Sequence, residues 1–593
     1  MSLAPSKNGN QAGYALLLVM IFLAVSLLLL CGTLSWSSGN ARLVKRNNQY
    51  FNNGFAAEVA TEKVIASISQ DFQTNGEAWV AARLSTYQSL VPTAAENSIW
   101  TNYQFIDAQG NVNKTYVTRL TGPGYVDIET KYAGLRGNSA TYQIISNARA
   151  VAPDSSNIVS AVKQEIQLAS IPIFQFGIFY AIDLEVCPGA NMNVTGRTHS
   201  NGSIYLQPSG NLTFQTHVTA AQQILHTKSA NDPVQRTFGS VAYQGEHDGR
   251  VKSFTLPIGT NNNPAALHNI IEIPPTTEAT NSLMGQQRYY NKADLIILVY
   301  DTGVDVFSGS YNGFATVIYS TTNSAPAGSG NGKAKGKAKK SGVTPTGSTV
   351  PFLSTTNSFK DLRQSIWIQS ADFDISQFNI QYATLAGKLG HNPTNIYIAD
   401  LRTTSTLTNS GVRVVNGQVL TNGLTIATPN PLYVKGHYNV PTSSLGTTNT
   451  SATKPASLVA DAITFLSPNW SDASSSLALS SRTATNMTVN AAIIAGIVPS
   501  GGGYYSGGVE NMIRLLENWS GKTMTYNGSL VALYTSQDAT APWGASSAVY
   551  LTPTRNMNFD PNFMSAGTLP PGTPELRATF RGQWIAIQAN SLQ

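Results

Sequence analysis

The chain has 593 residues, a formal net charge of +6, 42% hydrophobic residues and only 11% charged ones. That length holds two to four domains with real cores, and so few charges, beside abundant Gly, Ser, Thr and Asn, are unlike a cytosolic enzyme and usual for exported β-rich proteins. Lys333, Lys335, Lys337, Lys339 and Lys340 supply five of the positive charges in one short segment, so the rest is nearly neutral and a general nucleic-acid-binding surface is not indicated.

Residues 1–13 are polar, with Lys7 the only charged side chain, and the 18 residues from Tyr14 to Cys31 then run without a charge or a proline. As a helix this run is about 27 Å long at roughly 1.5 Å per residue, close to the hydrocarbon thickness of a bilayer. A cleaved secretory signal asks for a shorter apolar core with a small-x-small site just beyond it. Ala24-Val25-Ser26 has that form but lies inside the run. A lipoprotein asks for a small residue before the modified cysteine, whereas Leu30 precedes Cys31. A retained membrane helix from Tyr14 to Cys31 fits best. Beyond it Phe51, Phe55, Val59, Ile65, Ile68 and Phe72 recur mostly three or four residues apart. That spacing predicts an amphipathic continuation to residue 72, packed on a soluble body.

A leader ending in Gly13, an apolar half-helix and an amphipathic half-helix together resemble a type IV prepilin. Asn40-Ala41-Arg42 and Phe55-Ala56-Ala57-Glu58 narrow the resemblance, over roughly the first 70 residues, to PilX-like minor pilins. The resemblance implies cleavage by prepilin peptidase after Gly13 and methylation of the new N-terminus at Tyr14. It also implies an inner-membrane anchor with the body in the periplasm, and other pilin or pseudopilin subunits as partners. One residue departs from the pattern. Major pilins carry a glutamate as the fifth mature residue, pairing with a neighbouring subunit's amino terminus, and here that position is Leu18. Its absence suits a tip or minor subunit. A plain bitopic anchor, untouched by a peptidase, is the other reading of the same residues.

Residues 73–170 alternate polar and apolar in short runs such as Thr141–Ile145 and Val162–Leu168, with a hairpin turn at Asp107–Asn111. This predicts a pilin-like β domain on the long helix. From residue 171 to 230, short apolar pairs (Met192/Val194, Ile204/Leu206, Leu212/Phe214) alternate with turns at Gly196, Gly202 and Gly210. A similar run fills 405–500, including Leu424–Ile426, Leu432–Gly436 and Val489–Gly496. Both predict one irregular β-helix. Residues 231–404 read as an insertion, with buried strands at Asp294–Tyr300 and Asn395–Ala399, a short helix at Phe359–Arg363, hairpin turns at Asp301–Gly303 and Ser310–Gly313, and a disordered loop at 324–348. In 501–593, Met512, Leu515, Leu516 and Trp519 predict a helix over 508–519 ended by Gly521, then a strand near Thr525–Tyr534 and a last one at Gln583–Ile587. Val509-Glu510-Asn511 through Asn518-Trp519, with Trp543-Gly544 and Pro553-Thr554-Arg555-Asn556, resemble the C-terminal part of large PilX-like proteins. That likeness implies membership of the family and no activity.

Little in the sequence carries chemistry. His199, His217, His226, His247, His268, His391 and His437 show no metal-ligand spacing, and there is no nucleophile elbow or phosphate loop. Cys187 reads as a small buried hydrophobe, Glu246-His247-Asp248 as a solvated turn, His199–Gly202 as turn chemistry, and Asp301 with Asp305 as too few oxygens for calcium. No catalytic, metal or cofactor-binding residue is assigned, and the chain is not read as an enzyme. The fold expected is mainly β with a long N-terminal α-helix: pilin-like helix plus sheet, then an irregular β-helix or solenoid-like domain with an insertion. The function expected is that of a minor pilin-like, membrane-anchored component of a type IV pilus or type II secretion pseudopilus. Its β-rich domain would meet a surface glycan or protein, and no nucleic acid. The alternative is a membrane-tethered β-helix adhesin or carbohydrate-active enzyme.

Overall fold

The computed structural model describes residues 12–107, 109–128, 132–151, 155, 157–309, 316–321, 349–544 and 549–588. The expected leader up to residue 11, the turn Ser310–Gly313 and the lysine-rich loop 324–348 lie outside the described residues. The chain divides into two compact units, one of Met1–Gly122, Ala140–Leu168 and Thr579–Gln593, the other of Pro123–Ser139 and Ala169–Ala578.

The first unit is built on α1, a single helix over Ala12–Asn75. It contains no proline, and it stops where Gly76 takes a φ of 84°, with the Gly76 N–H donating to the Phe72 carbonyl. A sheet covers its second half, in the order Tyr103–Ile106, Arg136–Ala150, Val159–Pro172, Glu575–Ile587, with Tyr116–Arg119 also pairing to the second strand. This unit takes residues 140–150, 159–168 and 579–587 of the longer strands. Tyr103–Ile106 and Tyr116–Arg119 both run antiparallel to their partner. Ile65, Ile68 and Phe72 are buried as the spacing predicts, whereas Phe51, Phe55 and Val59 are exposed. The residues that face the sheet higher up are Asn53, Ala56, Ala57, Ala60 and Thr61. Alanines leave the helix close enough for Asn53 Nδ2 to donate to the Ile158 carbonyl at 2.8 Å and Thr61 Oγ1 to Ser146 Oγ at 3.0 Å.

The second unit is organised by parallel stacking. Phe176–Tyr180, Leu184–Val186 and Met192–Val194 pair in parallel with Arg197–Ser200, Ile204–Leu206 and Asn211–Phe214 one coil later. Those pair in turn with Val218–Ala220, Ile224–Leu225 and Ser240–Tyr243. Leu184, Ile204 and Ile224 occupy equivalent places, each twenty residues after the last. Leu424–Ala427, Ala456–Ala460, Met487–Ala495 and Thr523–Ala532 form the same kind of stack. Leu530 then lies opposite Ile178, so one long sheet runs through both stretches. A second sheet stacks Thr408–Val415, Leu432–Lys435, Ile463–Leu466 and Arg514–Leu515 in parallel. The pairing is parallel in both stretches, and Val194, Ile204, Leu206, Ile426, Val434, Ile493 and Ile494 are all buried there.

Three expectations are corrected. The supposed insertion is partly wall: Leu295–Tyr300 and Asn395–Asp400 extend the long sheet in parallel, and Ile366–Asp374 extends the second. Leu295–Tyr300 and Asn395–Asp400 are covered on both faces over nearly their whole length, as a parallel sheet requires. Phe359–Arg363 is not a helix, because Leu353–Asp361 is a strand antiparallel to Ile366–Asp374. The longest described helix of this region is Ile375–Leu389, capped by Asp374, whose side chain accepts from the Gln377 N–H, and ended by Gly390 at a φ of 77°. Nor is 508–519 an α-helix: Val509–Asn511 is one 3₁₀ turn and Arg514–Leu515 a short strand. Glu510, Met512, Ile513, Arg514, Leu515, Leu516, Glu517 and Trp519 are all buried there. A segment covered on every side has no solvent face to fix a helical stripe, and rung pairing decides its shape.

Candidate membrane helix and binding cleft

The expected processing residues Gly13 and Tyr14 lie at the start of α1, and Cys31 lies along it as a free, exposed cysteine. Every side chain from Tyr14 to Gly39 is exposed. Among the described residues α1 is the helix long and apolar enough to cross a membrane. The exposed apolar surface does not end there, since Leu43, Val44, Phe51, Phe55 and Val59 continue it alongside Arg42, Lys45 and Arg46. The ion pair of Arg581 with Glu62, Nη2 to Oε2 at 2.6 Å, ties the last strand to the helix inside the first unit.

In the second unit, a cleft of about 870 Å³ opens beside the first coil and is lined by the turn Cys187–Asn193, Arg236, Tyr505, Glu510, Asn511, Trp543, Tyr550 and the segment Thr552–Asn558. Glu510-Asn511, Trp543 and Pro553–Asn556, far apart in the chain, meet here. Two successive glycines shape one wall. Gly507 and Gly508 have φ of 95° and 67°, and a Cβ on Gly507 would come within 2.9 Å of the Trp543 ring.

Asn511 is the hub of the polar network. Its Oδ1 accepts from Tyr550 OH at 2.8 Å and Arg555 Nη2 at 2.6 Å, while Trp543 Nε1 donates to Tyr550 OH at 3.0 Å. Tyr505 meets Trp543 edge to face, ring centroids 5.4 Å apart, and carries the Arg236 guanidinium 4.1 Å above its own ring. Arg236 is in turn paired with Asp232. Tyr505 OH donates to Glu510 Oε1 at 3.2 Å. Burial is the main influence on Glu510 and pushes its carboxyl up to about 7, with Arg555 pulling the other way. The backbone N–H groups of Cys187 and of Glu510 itself also favour its carboxylate, and among the described residues Arg555 Nε is buried without a hydrogen-bond partner.

The remaining sequence candidates are scattered. Cys187 lines this cleft, and burial pushes its thiol up to about 12. His199 is not in an outward turn: it is fully buried in the strand Arg197–Ser200, with Nδ1 2.8 Å from Thr219 Oγ1 and its ring stacked on Phe179. Burial holds it neutral, near 4. His247–Asp248 is a short strand rather than a turn, its imidazole stacked on Tyr243 at 4.1 Å. Asp301 accepts from Thr403 Oγ1 and Asp305 from Ser320 Oγ, each in its own contact. Tyr505, Tyr550 and Arg236 drew no attention in the sequence, since isolated tyrosines and arginines carry no spacing signal.

No family model and no curated protein matches the chain. Among solved structures it is similar to the competence-associated pilin ComZ from Thermus thermophilus, at 10% identity over 91% of this chain and 97% of that one, with a TM-score of 0.27.

Proposed function

We propose that the chain is a minor pilin-like, inner-membrane-anchored component of a type IV pilus or related secretion pseudopilus, with α1 as its assembly element and the β-rich body presented on the periplasmic side to bind a partner. The observation that carries this reading is the division of one continuous helix: its first half is apolar and exposed, its second half is packed on an antiparallel sheet. Phe51, Phe55 and Val59 support it further. They are exposed beyond the length a bilayer covers, and each such side chain is worth about 1.5–3 kcal/mol when buried, as it would be against equivalent helices of other subunits. Leu18 in place of a glutamate favours a minor or terminal subunit. No catalytic step is assigned to the body.

Processing is the test. Prepilin peptidase would cut after Gly13, leaving Tyr14 as the methylated N-terminus. Mass spectrometry of the chain from its own host is expected to give N-methylated Tyr14 and no leader. Gly13→Val is expected to retain the leader, still insert and fold, and drop out of the pilus fraction. A membrane-tethered adhesin, which would use the same cleft, predicts an intact leader and indifference to Gly13→Val. Wild-type mass and pilus association in that variant would sink the pilin reading.

A further inference from the structure

We propose that the cleft between the turn Cys187–Asn193 and the segment Thr552–Asn558 binds a neutral oligosaccharide. The inference stands on the cleft and does not depend on processing at Gly13. A volume of about 870 Å³ is in the range of small-molecule sites. The wall presents Trp543 and Tyr550, held in place by the edge-to-face contact of Trp543 with the buried Tyr505 and by the hydrogen bonds through Asn511. Rigid aromatic faces suit the C–H faces of pyranose rings, and they lose little conformational freedom on binding.

The polar lining selects for hydroxyl groups. Asn191, Asn193, Gln215, Ser520, Thr554 and Asn556 are neutral amides and alcohols that both donate and accept. Sugar hydroxyls do the same, whereas a carboxylate only accepts and an ammonium only donates. Glu510 and Arg555 line the same cleft, Arg555 with its Nη2 held on Asn511 Oδ1. The charges disfavour an anion: Arg236 is neutralised by Asp232, and Arg555 feels the field of Glu510.

The experiment uses the detergent-solubilised full chain and four probes, hexamers of β-glucan, chitin and mannan type and hexagalacturonate, read by saturation-transfer NMR and tryptophan fluorescence. Saturable binding of at least one neutral hexamer is expected. Trp543→Ala, which removes a ring from the wall, is expected to weaken it at least tenfold, and Arg555→Gln, a gentler change that keeps the fold, to weaken it several-fold. Trp584→Ala, on the exposed strand Glu575–Ile587, is expected to leave it unchanged. Absence of saturable binding, binding of hexagalacturonate alone, or undiminished affinity in folded Trp543→Ala and Arg555→Gln overturns the proposal.

Discussion

His268 shows how a single residue can be decisive in the fold and silent in the sequence. It is almost fully buried, with Nε2 3.2 Å from Asp461 Oδ1, Nδ1 3.2 Å from Glu272 Oε1 and Tyr534 edge-on at 4.8 Å. Burial alone would lower its pKa, but the two carboxylates outweigh that and raise it to about 9. Asp461 is meanwhile fixed by the N–H groups of Gln537 and Ala539. A raised imidazole contributes fully below the unfolded value near 6.5, and the contribution is lost as the pH climbs through about 9. The size at stake is on the order of 3 kcal/mol. The thermal midpoint of the wild type is therefore expected to fall between pH 6.5 and 9, and His268→Gln to lower it at pH 6.5 and flatten that fall. An equal slope in the variant would mean the imidazole is uncharged. None of this was legible, because Asp461 is 193 residues away in the chain. His199 fails for a related reason: a short strand flanked by Asn and Gly looks like a turn until the rungs above and below it cover its ring. Cys187, by contrast, was readable, since an isolated cysteine without a basic neighbour is most often a small core residue.

At the scale of elements, α1 was the most legible part, since eighteen apolar residues and a three-to-four spacing leave few alternatives. What misled was size. The large side chains Phe51, Phe55 and Val59 suggested the buried face, yet the sheet takes Ala56, Ala57 and Ala60, packed with Val91, Phe105, Ala148 and Val162. Close approach of helix to sheet explains the choice, and it makes a prediction. Ala60→Leu adds bulk where the contact is tight and is expected to cost about 1–3 kcal/mol. Phe55→Ser, on the exposed stripe, is expected to change stability by less than about 0.5 kcal/mol. Hydrogen exchange in residues 159–168 checks both: their opening free energy should fall in the first variant only. If Phe55→Ser destabilises the isolated chain as much, the stripe is already packed within it. Elsewhere helices were misread at 359–363 and 508–519, and one was missed at Ile375–Leu389. At 508–519 the apolar residues are buried on every side and mimic a helical pattern, while for Ile375–Leu389 the caps Asp374 and Gly390 were the better signal.

For the whole molecule, the sequence revealed short Gly-punctuated strands but neither their twenty-residue step nor the strand that unites them. The third coil is longer, with Leu212 opposite Val241 and Val218 opposite His247, which blurs any repeat. The later coils are longer again, Leu424 lying opposite Ala456 and Leu458 opposite Ile493. Continuity comes instead from Thr523–Ala532, which pairs with Met487–Ala495 on one side and Phe176–Tyr180 on the other. Gly528 sits in this strand opposite Ala491, where a Cβ would come within 2.0 Å of the Ala491 carbonyl oxygen and 2.5 Å of Tyr526 OH. Backbone on one side and a fully buried tyrosine on the other cannot yield cheaply. Gly528→Val is therefore expected to cost about 3 kcal/mol or more, the upper end for overpacking. Because the strand is shared, the damage should spread both ways along the sheet. Amide exchange is expected to quicken in Phe176–Ala220 and in Leu424–Ala495 together, while residues 159–168 of the first unit stay protected. Quickening confined to one of the two stretches would mean that they fold as independent stacks that merely abut at Leu530 and Ile178.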